Sequence, residues 1–360
     1  MSREEDARWM RRCIELARNA EGRTAPNPMV GAVLVRDGEV LAEGWHAKAG
    51  EDHAEPAALK KVEMSAGGAT MYVNLEPCCH HGRTPPCTDA ILQAGVSRVV
   101  VGMVDPNPVV AGKGIGILRS AGVQVDIGVE ERACRELNAG YLKAMHTGRP
   151  RVWLKVASTL DGRIADSEGA SQWITGQEAR NVVHQERNRM DAILVGSGTL
   201  HADDPALTTR IDGGRDALPV LLDSRLSCPA DAKVLQGSRR AVIYCSESAP
   251  ERELDADVVR VGHDGDGLQL KEVLQDLVNR GVHNLLVEGG GRVHRSFLEA
   301  GYADRLLLFV APKVLVGGPG FVGGEPLGLG EGFSFRLIGS RKVGQDLLLD
   351  YEVNHVHRTR

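Results

Sequence analysis

No excess of positive charge marks this sequence: 43 Lys and Arg stand against 48 Asp and Glu, a formal net charge of -5. A protein that grips nucleic acid needs cations to neutralise phosphates, so this balance favours a small-molecule partner. Pairs such as Arg11-Arg12 and Lys60-Lys61 fall in helical patterns and read as solvated faces. No run approaches the roughly 18 apolar residues of a membrane span. The charged stretch from Ser2 to Arg12 does not read as a secretory leader, so a reducing, cytoplasmic compartment is expected. The seven cysteines are odd in number and read as metal or catalytic groups before disulfides. Internal repeats and low-complexity segments are absent.

The 360 residues, 42% hydrophobic and 25% charged, suit two globular domains. Trp9, Met10, Cys13, Ile14 and Ala17 form a helical stripe. Strands are predicted over residues 30–35 and 40–44, joined by an Asp37-Gly38 turn, and over 70–75, 99–103 and 123–127. Helices are predicted over 53–62, 88–94, 114–120 and 131–146. This alternation implies helices on both faces of a sheet. The pattern resets at Thr147-Gly148-Arg149-Pro150, where Gly and Pro end a helix. The expected domains are therefore 1–147 and 148–360. The second again alternates, with strands over 152–157, 192–195, 220–223, 241–245, 284–287, 305–310 and 347–353, and helices over 177–189, 268–279 and 292–300. The glycine-rich stretch at 317–324 reads as a loop.

The strongest chemical signal is His53-Ala54-Glu55, followed by Pro77-Cys78 and then Cys87. One His and two Cys leave the fourth zinc position open for water, the ligand set of zinc deaminases. Zinc brings the pKa of bound water towards about 7. A glutamate two residues after the ligand histidine carries the proton to the leaving ammonia, which here is Glu55. The usual Pro-Cys-x-x-Cys spacing would place the second cysteine at His81, so Cys79, His80 and His81 are rival ligands on spacing alone. Cys87 is preferred because it precedes a predicted helix, whose N-terminus stabilises a thiolate. Asn27, in Pro26-Asn27-Pro28, is a candidate to hydrogen-bond the edge of a substrate ring. Asp105 and Asn107 follow a buried strand, where ligands of open α/β sheets sit; a plain turn fits both segments equally well.

In the second half, Glu288-Gly289-Gly290-Gly291 follows a predicted strand and opens a helix. Glycines let a backbone approach a phosphate, and a helix N-terminus favours its charge. The run is not Gly-x-Gly-x-x-Gly, so the dinucleotide fingerprint is not met.

Taken together, His53-Ala54-Glu55-Pro56, Leu75-Glu76-Pro77-Cys78 and the long loop His80-His81-Gly82-Arg83-Thr84-Pro85-Pro86-Cys87 resemble the bifunctional deaminase/reductase family of riboflavin biosynthesis. Leu160-Asp161-Gly162-Arg163, Ser171-Gln172-Trp173-Ile174-Thr175 and Asp203-Asp204-Pro205-Ala206-Leu207-Thr208 extend the resemblance over nearly the whole chain. It implies a cytidine-deaminase-like three-layer α/β/α domain and a dihydrofolate-reductase-like α/β domain. It further implies His53, Cys78 and Cys87 as zinc ligands, Glu55 as proton shuttle, and no ligand role for Cys79, where the family commonly carries serine. In the second half it implies NADPH contacts at Ala157, Trp173, Thr199, Asp203, Ser224 and Gly290, Gly291, Arg292, Val293, His294, Arg295 and Ser296. Ser171, Arg187, Leu207, Arg210 and Glu288 become the implied sugar-phosphate contacts, and Arg187 and Arg210 suit phosphate by their planar fork. Lys155 and Asp203 are candidates to polarise or protonate the group that receives hydride. The implied reactions hydrolyse the 2-amino group of a diaminopyrimidinone bearing a phosphoribosylamino group, then reduce its ribosyl group to ribityl. The expected partner is this small molecule, with neither nucleic acid nor membrane; the sequence leaves a homo-oligomer open. A single-activity deaminase with a regulatory second half, a zinc-stabilised binding protein and a nucleic-acid-editing deaminase are the alternatives.

Overall fold

A computed structural model of the chain describes residues 2–82, 85–265 and 267–354. Arg83 and Thr84 of the inter-cysteine motif lie outside the described residues. The chain divides into two compact units, one ending at Gly148 and the other beginning at Arg149.

The first unit is built on five strands: β1 Gly31–Arg36, β2 Glu39–Trp45, β3 Thr70–Val73, β4 Arg98–Val101 and β5 Gln124–Ile127. Their order is β2-β1-β3-β4-β5; β1 is antiparallel to β2 and β3, and β3, β4 and β5 run parallel. Side chains alternate across a strand, and this sets two cores. Ala32, Leu34, Met71, Val73, Val99 and Val101 face one way. They bury helix α2 (Ala54–Leu59), α3 (Cys87–Gln93) and α4 (Lys113–Ser120). Val33, Val35, Tyr72 and Val100 face the other, against helix α1 (Arg3–Arg18). Helices on both faces make the three-layer α/β/α arrangement. Gly44 on β2 allows α2 to lie close, since a Cβ there would stand 2.4 Å from the Ala54 carbonyl oxygen.

The helix predicted over 131–146 is two helices, α5 Glu131–Leu137 and α6 Ala139–Thr147. Asn138 breaks it. Its side chain accepts from the Met29 amide at 2.8 Å and donates to the Met29 carbonyl at 2.9 Å, which fixes its backbone outside helical values. Apolar periodicity alone does not register such a side-chain anchor.

The second unit carries β6 Arg151–Thr159, β7 Ala192–Gly196, β8 Leu218–Leu222, β9 Ala241–Ser246, β10 Ala256–Val261, the short pair β11 His263–Asp264 and β12 Gly267–Leu268, then β13 Asn284–Val287, β14 Arg305–Ala311, β15 Phe335–Val343 and β16 Asp346–Val353. Nine form one sheet in the order β10-β9-β8-β7-β13-β6-β14-β16-β15. It is parallel from β10 to β14, and β16 and β15 add an antiparallel edge. Helices α7 Gln177–Arg189, α8 Ser197–Asp203, α9 Leu270–Asn279 and α10 Gly291–Glu299 complete it. Strands β10, β11, β12 and β15 and helix α8 escape the sequence patterns. Strand β15 is exposed along most of its length and so shows no buried face to read. No helix among the described residues is long and apolar enough to cross a membrane.

Candidate active sites

In the first unit, three different elements bring one imidazole and two sulfurs together. His53 caps the N-terminus of α2, Cys78 follows β3, and Cys87 opens α3. Nδ1 of His53 lies 3.5 Å from Sγ of Cys78 and 3.3 Å from Sγ of Cys87. The three ligand atoms all lie within 4.8 Å of one another, and no other such group of His, Cys, Asp or Glu occurs among the described residues. Ligands at the usual zinc distances in a tetrahedron stand about 3.5 Å apart, so this donor set fits zinc. Cys79, His80 and His81 are not part of the cluster.

The backbone amide of Cys87 donates to Sγ of Cys78 at 3.3 Å. The Cys87 thiol, His53 and this amide push the Cys78 thiol down to about 4, while its bond to Cys78 and burial push the Cys87 thiol up. Glu55, on the first turn of α2, is buried beside them, and burial together with the Cys78 charge raises its carboxyl to about 7. A carboxyl buried beside the cluster is placed for general acid–base work.

One neighbour was missed by the sequence reading. His46, buried just beyond the end of β2, stands edge-on to His53 with ring centroids 5.2 Å apart. Its Nδ1 lies 2.9 Å from the Asp52 carbonyl and its Nε2 lies 3.0 Å from Nδ2 of Asn27. A carbonyl can only accept, so Nδ1 carries the proton and Nε2 accepts from the Asn27 amide. That fixes the Asn27 side chain with its NH2 on His46 and directs its carbonyl oxygen elsewhere. Nothing in a lone histidine after a strand announces this. Asp105 accepts from the Tyr141 hydroxyl at 2.8 Å and from the Asn107 amide at 2.9 Å. Oδ1 of Asn107 accepts from the Val109 amide at 3.1 Å, so both residues are engaged within their own loop and its support.

In the second unit, a cavity of about 1300 Å3 opens where β6, β7, β8 and β13 end. Crevices at the carboxyl ends of parallel strands are where open α/β sheets take ligands. Every second-half candidate lines it except Arg295. Arg187 binds Glu288 through two hydrogen bonds and donates to the Thr208 carbonyl at 3.0 Å, so little of its fork remains for a phosphate. Arg210 is exposed, with only a 3.5 Å contact to the Thr208 hydroxyl. Trp173 is 60% exposed on the cavity wall, with the Arg180 guanidinium 4.6 Å above its ring. The Ser171 hydroxyl donates to Asp203 at 2.8 Å. Burial pushes the Lys155 ammonium down, against the pull of Glu288 at 3.6 Å.

These two sites define an enzyme that couples a zinc-dependent deaminase unit to a reductase unit. The family profile described as "Cytidine and deoxycytidylate deaminase zinc-binding region" matches residues 3–103, and that described as "RibD C-terminal domain" matches residues 150–349. The chain belongs to the RibD family of riboflavin biosynthesis proteins. The Aquifex aeolicus riboflavin biosynthesis protein RibD is 41% identical over 96% of this chain and 94% of its own. The Escherichia coli protein of that name is 39% identical over 96% of this chain and 98% of its own. Among solved structures, Acinetobacter baumannii RibD aligns with a TM-score of 0.90 at 38% identity, covering 98% of this chain and 100% of its own. A Thermotoga maritima diaminohydroxyphosphoribosylaminopyrimidine deaminase/5-amino-6-(5-phosphoribosylamino)uracil reductase also gives 0.90, at 36% identity over 98% of this chain and 99% of that one. The chain is thus a deaminase and an NADPH-using reductase of riboflavin biosynthesis.

Proposed function

We propose that residues 1–147 hydrolyse the 2-amino group of 2,5-diamino-6-(5-phosphoribosylamino)pyrimidin-4-one, and that residues 148–360 then reduce the ribosyl group of the product to ribityl. His53, Cys78 and Cys87 hold zinc, which when bound activates water at neutral pH. Glu55 takes a proton from the attacking water and returns it to the departing nitrogen, so water enters and ammonia leaves. Asn27, its amide fixed by His46, presents its carbonyl oxygen to an N–H of the pyrimidine.

The cavity of the second unit would hold NADPH, which when bound would supply the hydride that C1′ of a ring-opened ribosylimine accepts. Lys155, with Asp203 close to Ser171, holds the proton that the imine nitrogen needs, so hydride and proton together give the amine. Gly290, Gly291, Arg292, Val293 and Ser296, with Ala157, Trp173, Thr199 and Ser224, serve the cofactor. Arg210 and Ser171 serve the sugar phosphate. A small-molecule substrate in a cytoplasmic, reducing setting accords with free thiols at Cys78 and Cys87.

The observation that carries this reading is the pairing of the His53–Cys78–Cys87 cluster with a buried carboxyl on the same helix turn. Glu55→Gln tests it. Ammonia release should fall by about 10²–10⁴-fold, the usual worth of a general acid–base group. Zinc content and NADPH oxidation on supplied deaminated substrate should persist. Ammonia release at the parental rate from this variant would overturn the shuttle role.

A further inference from the structure

Neither reaction uses the glycine-rich segment at residues 317–324, yet the structure fastens it on two sides. On one side, Nδ1 of His294 donates to the Phe321 carbonyl at 3.0 Å. Nη1 of Arg295 donates to the carbonyls of Gly323 at 3.4 Å and Glu325 at 2.8 Å. The Gly323 amide donates to the Gly291 carbonyl at 3.0 Å. On the other side, Arg163 donates to the Gly318 carbonyl at 3.0 Å, and the Ile164 amide to that of Pro319 at 3.0 Å.

The approach is close enough to require glycine. A Cβ on Gly291 would stand 2.8 Å from the Gly320 carbonyl oxygen, and one on Gly318 2.2 Å from that of Ala165. The strap therefore lies against the first turn of α10, which the phosphate-type glycine run opens, and Pro319 joins Gly291 and His294 in lining the cavity. Arg295 does not line it; its Nε is held by Glu299 at 2.6 Å. His294 is buried, and its ring stays neutral while Nδ1–H serves the strap.

We propose that Arg295 and His294 are positioning residues that latch the strap to α10 and so fix one wall of the cofactor cavity. The resemblance places Arg295 among the cofactor contacts; the geometry assigns it to the latch. This rests on the reading that the cavity takes NADPH. A latch acts through the shape of the wall, so its loss weakens NADPH and NADH alike. A direct contact to the 2′-phosphate, which NADH lacks, would discriminate between them.

The test uses the full chain, with Arg295→Met and, from the strap side, Gly324→Ala. Gly324 has φ +98°, and a Cβ there would stand 3.4 Å from Nη1 of Arg295. Amide hydrogen exchange over 317–324 should accelerate in both variants. The dissociation constants of NADPH and NADH, titrated directly, should each rise about tenfold, roughly 1.4 kcal/mol. Ammonia release by the first unit should not change. Weaker NADPH binding with unaltered strap exchange would make Arg295 a contact and overturn the latch. Faster exchange with unaltered binding would remove the strap from the cofactor wall. Failure of the parental chain to bind NADPH would instead overturn the cofactor reading, and the two failures are thereby distinct.

Discussion

Arg187 donates to both carboxylate oxygens of Glu288, from Nε at 2.7 Å and from Nη2 at 3.0 Å, with side chains only 14% and 7% exposed. The pair joins helix α7 to the end of strand β13 on the wall of the reductase cavity. Breaking a buried pair by removing one partner leaves an uncompensated charge and costs about 3–5 kcal/mol. Arg187→Met should therefore lower the unfolding free energy of the second unit by an amount in that range and abolish NADPH-dependent turnover. Arg187→Lys should recover little, because an ammonium lacks the planar fork that spans two oxygens. Denaturant titration of both variants checks this; a lysine variant as stable as the parent would show that charge alone suffices.

The same pair sets a pH dependence. Burial would raise the Glu288 carboxyl, but the charges of Arg187 and Lys155 outweigh it and hold it down to about 2, against an ordinary value of 4.5. A carboxyl depressed on folding stabilises the native state above its unfolded value and loses that contribution as pH falls through the folded one. The window is thus pH 4.5 down to about 2, and the shift corresponds to about 3 kcal/mol. Glu288→Gln should be less stable than the parent at pH 7, with the difference shrinking across this window. A constant difference from pH 7 to pH 2 would contradict the assignment.

His46 and Asn27 give a prediction for the first unit. Because Nδ1–H of His46 is committed to the Asp52 carbonyl, only Nε2 can hold the Asn27 amide. His46→Phe keeps a ring beside His53 but removes that acceptor. The Asn27 amide is then free to turn, and deaminase kcat/KM should fall about tenfold, the loss of one oriented hydrogen bond of ordinary strength. Zinc content, measured by elemental analysis, should match the parent. Loss of zinc in step with activity would mean that His46 supports the ligand His53 instead.

Local pattern reveals the zinc cluster early because its members announce themselves by type. His53, Glu55, Cys78 and Cys87 are residues whose chemistry is read from identity, and the helix starts at Ala54 and Cys87 are visible as apolar periodicity. Strands β3, β4 and β13 are mostly apolar and buried on both faces, and they too are legible. What local pattern does not carry is partnership. His46 is one histidine among 12, and only the fold turns its two nitrogens towards Asp52 and Asn27. The Arg187–Glu288 pair spans 101 residues of sequence, so no local pattern shows that this guanidinium is also held by a carboxylate. The partners of Arg295 are hidden for a related reason: it sits in a cofactor-type segment, and only the fold brings Glu299 and the Glu325 carbonyl to its guanidinium. The Asn138 break depends on the backbone of Met29, more than a hundred residues earlier.

Metal removal should separate the two units. His53, Cys78 and Cys87 all belong to the first, and every residue lining the reductase cavity belongs to the second. A ligand that binds only the folded state stabilises it by about 2.7 kcal/mol at a free concentration a hundredfold above its dissociation constant. Chelation should therefore abolish ammonia release and lower the melting transition of the first unit. NADPH oxidation on supplied deaminated substrate should continue, and the transition of the second unit should stay in place. Restoring zinc should return ammonia release, since the two sulfurs and the imidazole already stand at ligand spacing. Calorimetry with parallel assays of both activities decides the matter. Reductase activity that falls together with the deaminase on chelation would show that the metal serves both units, against the division of labour argued from these residues.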